Sequence, residues 1–169
     1  MVLTKLSDGI LNFVLEENMM NTKGLACKVL VPAYGIIVAG SILENLLLGT
    51  DWFLLGSVIG ILWLVGGVVA LAVAVRELRK GEGFMLVESG PFAWSRNPIL
   101  AANMLGIMPG LCLILNTNLG ILGIVVAAFL FFKNVEAEEV ELEDQFGETY
   151  QAYRERVSRL IPLPSCPKN

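Results

Sequence analysis

The sequence predicts an all-α integral membrane protein with about four transmembrane helices, an N-terminal interfacial helix and a cytoplasmic C-terminal amphipathic helix. Three observations carry that prediction. Of 169 residues, 55% are hydrophobic and 17% charged, whereas a soluble domain runs about 45–50% apolar and about 25% charged. Apolar runs of bilayer length recur along the chain. The basic residues gather in segments that fall on one side of the membrane under a four-span arrangement. The length suits a single domain, divided into an interfacial segment (1–24), the spans with their cytoplasmic connector (25–132) and a cytoplasmic tail (133–169).

Residues 1–24 contain Asp8, Glu16 and Glu17 and lack an apolar core followed by a cleavage pattern, so they read as an amphipathic helix on the membrane surface and not as a signal peptide. Leu25 to Leu48 is a candidate span, with Lys28 and Glu44 near its ends, where they reach an interface by snorkelling. Trp52 to Val75 holds no charge and is the firmest span. Pro98 to Leu115 and Leu119 to Phe132 are separated only by Asn116, Thr117 and Asn118, the pattern of a helical hairpin. Its second arm is short, so the helix is expected to run on past Phe132 into the charged stretch. Pro32 and Pro109 are expected to kink their helices. Gly56 and Gly60, with Gly66, Gly67, Gly106, Gly110, Gly120 and Gly123, fit close helix packing better than a ligand role.

Lys5, Lys23 and Lys28 precede the first span. Arg76, Arg79, Lys80 and Arg96 lie between the second and third, and Lys133, Arg154, Arg156, Arg159 and Lys168 follow the fourth. The loops Gly49 to Asp51 and Asn116 to Asn118 hold none, which puts both termini in the cytoplasm. No ionisable chain runs through the spans, which argues against a pump or channel. The chain has no histidine, so histidine-based nucleophile systems and histidine-ligated metal sites are excluded, and any base is Asp, Glu, Lys, Tyr or water. Cys27, Cys112 and Cys166 have neither disulfide-framework nor zinc spacing, and no metal is expected. A net charge of -4 argues against nucleic acid.

In the tail, Leu142, Phe146, Tyr150, Tyr153, Val157 and Leu160 recur at spacings of three and four, the mark of an amphipathic helix. Glu138 and Glu139 fall close to that stripe, whereas Glu136, Asp144, Glu148 and Glu155 point elsewhere. Inward carboxylates need basic partners or a bound cation. Arg156 falls on the same face by the same counting, if Gly147 does not interrupt the helix. The alternative is a solvated acidic run. In the connector, Gly90-Pro91 marks a turn and Pro98 suits a first helical turn with Asn97 as cap. The N–H groups there, with Arg96 beside them, suit an anionic group. The alternative is a plain helix cap with Phe92 and Trp94 as interfacial aromatics.

Together these pieces resemble the membrane methyltransferase superfamily of isoprenylcysteine carboxyl methyltransferases and phospholipid N-methyltransferases. LVESGPFAWSRNP is similar to that family's LV-x-x-G-P-Y-x-x-x-R-H-P segment, and EEVELEDQFGETYQAYRERVSRLIP to its E-E-x-x-L-x-x-x-F-G-x-x-Y-x-x-Y ending. The resemblance covers about residues 86–162. It implies S-adenosylmethionine as cofactor, held from the cytoplasmic side by Gly90, Arg96, Asn97, Pro98, Leu100, Glu138 and Glu139. It implies substrate contacts from Trp94, Tyr150 and Tyr153, and a catalytic set of Arg96, Glu139 and Arg156. The acceptor it implies is a lipid or prenylated molecule reached from the bilayer, with O-methylation of a prenylcysteine-like carboxylate ahead of N-methylation of an aminophospholipid. Methyl transfer from a sulfonium is a one-step displacement that asks the protein for alignment and water exclusion, which a chain without histidine can supply.

The sequence departs from the family at Asn97, where histidine is usual, and at Leu100 and Ala102, where a tyrosine and a small residue follow the proline. Asn134 stands where a basic residue often precedes the carboxylate pair, and the connector from Arg76 to Gly90 is short. These departures feed a reading of another class, a catalytically silent four-helix module for packing or partner binding. A sterol-reductase-like enzyme ranks last, because no dinucleotide-binding pattern is present.

Overall fold

The computed structural model describes residues 23–48, 54–80 and 86–160. The expected interfacial helix lies outside them, as do the loop at Gly49 to Asp51 and the chain beyond Leu160. The described residues form α1 (Lys23–Leu48), α2 (Leu54–Lys80), a 3₁₀ turn (Gly90–Ala93), α3 (Pro98–Ile114), α4 (Gly120–Phe146) and α5 (Glu148–Arg156). Apart from one isolated bridge, Ser95 to Ser158, they contain no strand.

Helices α1, α2 and α4 are long and apolar enough to cross a membrane. Helix α3 is apolar but shorter, about 25 Å at 1.5 Å per residue against a hydrocarbon core of about 30 Å. The hairpin's second arm continues past Phe132 as expected, and α4 reaches Phe146. Its apolar part ends at Lys133; the stretch beyond carries Glu136, Glu138, Glu139, Glu141, Glu143 and Asp144, charges that a hydrocarbon core disfavours.

The core is built from rungs four residues apart: Leu25, Val29, Ala33 and Ile37 on α1, Leu100, Met104, Met108 and Cys112 on α3, and Ala127, Phe131 and Val135 on α4. That spacing puts each set on one helix face. Helix α2 lies outside this core and packs along α3 through glycines. A Cβ on Gly67 would come within 2.7 Å of Ile107 N, and one on Gly110 within 2.8 Å of Leu64 N, so only hydrogen fits at this crossing.

Ahead of Pro109, where a kink is expected, the helix widens to a π segment over Asn103–Ile107. Helix α1 runs on through Pro32. Glu44 does not snorkel. It is buried and accepts hydrogen bonds from Thr117 Oγ1 (2.8 Å), Asn118 N (2.8 Å), Asn118 Nδ2 (2.9 Å) and Leu119 N (3.1 Å). A single side chain from α1 thereby satisfies the polar turn and the two N–H groups just ahead of α4, while the helix's first N–H, that of Gly120, donates to Thr117 Oγ1 at 3.1 Å.

Candidate functional site

Glu139 is the next rung after Val135 on the inner face of α4 and is buried. A carboxylate in that position requires cations, and two arginines supply them. Arg96 Nη1 lies 2.9 Å from Oε1. Arg159 is bidentate, with Nε 3.0 Å from Oε1 and Nη2 2.9 Å from Oε2. Arg96 Nη1 is also 3.5 Å from the Tyr150 hydroxyl, while its buried Nε has no acceptor among the described residues.

Arg96 comes from the connector and Arg159 from the tail because the two segments are zipped side by side. Arg96 N donates to Ser158 O at 2.9 Å, Asn97 Nδ2 to Arg159 O at 3.1 Å, and Ser158 Oγ to Trp94 O at 3.3 Å. Asn97 thus sits at the N-cap position of α3, as expected, but its side chain holds the tail and makes no cap hydrogen bond. Pro98 occupies the first turn as expected and is buried.

Tyr150, Tyr153 and Val157 pack on Leu86, Leu142 and Phe146 as the stripe predicts. Tyr153 donates to Phe92 O at 2.7 Å. Burial pushes both tyrosine hydroxyls above their usual range, and the neighbouring Glu139 charge adds to the effect at Tyr150. Neither loses a proton near neutrality. Glu138, half-buried, has no hydrogen-bond or ion-pair partner among the described residues. Burial, then the charges of Glu141 and Glu139, push its carboxyl up to about 7, so it is the group here that titrates near neutral pH.

Four expected site residues sit apart from this cluster. Arg156 is exposed and pairs with Glu88 at 2.8 Å. The helical counting that put it inward fails because Gly147, at φ +56°, separates α4 from α5. Leu100 is a core rung. Gly90, at φ +59°, lies against Glu77, whose Cγ would be 2.9 Å from a Cβ there, so its glycine is required by the turn itself. Trp94 is exposed. Arg159 was missed; the available signal was the need of two inward carboxylates for basic partners, with Leu160 beside it ending the apolar stripe.

A separate apolar groove of about 370 Å³ lies between α2 and α3, lined by Trp63, Gly66, Gly67, Ala102 and Gly106 among others. Comparison with protein-family models, with curated proteins and with solved structures returns no match for this chain.

Proposed function

We propose that the chain is an S-adenosylmethionine-dependent methyltransferase with four membrane passes and cytoplasmic termini, acting on a lipophilic acceptor at the cytoplasmic face. The observation that carries this reading is the contact between Arg96 and Glu139, whose side chains are only 8% and 6% exposed. It joins the two stretches on which the resemblance rests. The residue chemistry fits the cofactor: among the described residues Glu138 has no partner and offers its carboxyl to a cation, and Arg96 Nε has no acceptor, which a carboxylate would supply. The cofactor supplies the electrophilic methyl group when bound. Glu138 and Glu139 then orient its positive charge, the Tyr150 and Tyr153 rings exclude water, and the connector–tail zipper fixes the end of the bundle. A prenylcysteine-like carboxylate needs no base. An aminophospholipid does, and Glu138, at about 7, suits that role. Helices α3 and α4 form the third and fourth passes, α3 being the short one, with the bilayer thinned locally around it.

The saturation of Glu139 by two arginines favours the second reading, a silent packing module in which the cluster only holds the tail. Binding of S-adenosylmethionine to the detergent-purified chain decides between them. Binding that is weakened in Glu138→Gln and Glu139→Gln supports the enzyme, and none at millimolar cofactor supports the module. Methyl transfer into a prenylcysteine analogue or into extracted lipid then identifies the acceptor.

A further inference from the structure

We propose that Arg159 is an exchangeable counter-ion of Glu139, whose guanidinium holds the place on the carboxylate that an organic cation takes on binding. The class of guest, a sulfonium, rests on the methyltransferase reading; the exchange itself rests on geometry.

The two arginines serve Glu139 unequally. The Arg96 side chain is 8% exposed, whereas that of Arg159 is 37% exposed. Arg159 Nη1 already lies 3.8 Å from Glu136, a side chain that is 76% exposed. Glu136 and Glu139 are three residues apart on one helix, so they are neighbours, one facing solvent and one facing inward. Arg159 therefore has a second carboxylate to rest on when it leaves the first.

Its backbone need not move. The Arg159 carbonyl is held by Asn97 Nδ2 at 3.1 Å and Ser95 Oγ at 3.4 Å, and Ser158 O by Arg96 N at 2.9 Å. The swing is confined to the side chain. With Arg159 on Glu136, Glu139 keeps Arg96 as its ion-pair partner and gives up its second guanidinium, a place that one monocation fills.

The test uses the full chain in detergent with trimethylsulfonium as probe, followed by methyl-proton NMR. Arg159→Gln is expected to bind the probe about tenfold more tightly than the wild-type chain, near the low end of ordinary coupling between sites. Glu136→Gln, a change at an exposed side chain, is expected to weaken binding because the outward rest is lost. Asp144→Asn removes the same charge from an exposed position of α4 and is expected to change nothing. Equal or weaker binding by Arg159→Gln overturns the exchange, as does unchanged binding by Glu136→Gln, which stands alone if Arg159→Gln does not fold. A chain that follows this pattern with trimethylsulfonium but does not bind S-adenosylmethionine retains the exchange and loses the methyltransferase reading.

Discussion

Trp63 on α2 donates its indole N–H to the Leu105 carbonyl on α3 at 2.7 Å. In a regular α-helical register that carbonyl would accept from residue 109, and Pro109 has no N–H to give it. In hydrocarbon no water replaces the lost partner, so the neighbouring helix supplies it. The bond ties α2 to the π segment of α3.

Trp63→Phe keeps most of the apolar bulk and removes the donor. It is expected to cost about 1–3 kcal/mol, the penalty of leaving a polar group unsatisfied in apolar surroundings, read as a lowered unfolding midpoint in detergent. In a Pro109→Ala background, where the helix can supply its own N–H, the same change is expected to cost less. Equal costs in both backgrounds would show that Trp63 acts through packing alone.

Glu139→Gln keeps the side chain's shape but leaves Arg96 and Arg159 without their shared carboxylate. Breaking a buried ion pair on one side costs about 3–5 kcal/mol. The loss is expected to appear as reduced thermal stability and as faster hydrogen exchange at the Arg96 amide, which donates to Ser158 O in the connector–tail zipper. Unchanged protection at that amide would mean that the backbone contacts hold the tail without the ion pairs.

The helices were legible because apolar runs and spacings of four are local properties of the chain; the inward turn of Glu139 follows from its place one rung beyond Val135. Partnerships were less legible. Glu44 read as a snorkelling end residue because its acceptor role depends on Thr117, Asn118 and Leu119, more than seventy positions away. Arg156 and Arg159 exchanged places because Gly147 resets the helical phase and Val157 turns to extended backbone, at φ −119° and ψ 133°. A residue count along an ideal helix cannot anticipate either break. The π segment itself was not legible; the sequence marked only Pro109 beside it.

Glu138 makes stability and binding respond to pH in opposite senses. Its carboxyl is raised from 4.5 to about 7 in the folded chain, so between those values the folded state keeps a proton that the unfolded state has released. Its contribution to stability is full below 4.5 and is lost as pH rises through about 7. Denaturation midpoints are expected to fall over that window and to flatten in Glu138→Gln, which mimics the protonated form. Sulfonium binding is expected to strengthen over the same window, as the carboxylate forms, and to lose that dependence in the variant. A wild-type chain whose binding is flat from pH 6 to 8 (about one unit either side of the midpoint) would remove Glu138 from the cation site.

The glycine crossing between α2 and α3 offers a paired comparison. A Cβ at Gly106 would stand 2.5 Å from Gly67 Cα, whereas one at Gly66, the residue beside Gly67, meets nothing within 4 Å. Gly106→Ala is expected to force the helices apart at a cost of about 1–3 kcal/mol, as overpacking does. Gly66→Ala is expected to be neutral or to stabilise by up to about 1 kcal/mol, because alanine is the better helix former. The two variants add the same methyl group, so a difference in unfolding midpoint isolates the close approach from helix propensity. Equal midpoints would show that α2 can ride outward without loss, and the Trp63 bond to Leu105, which spans the same crossing, would then be expected to lengthen in the Gly106 variant.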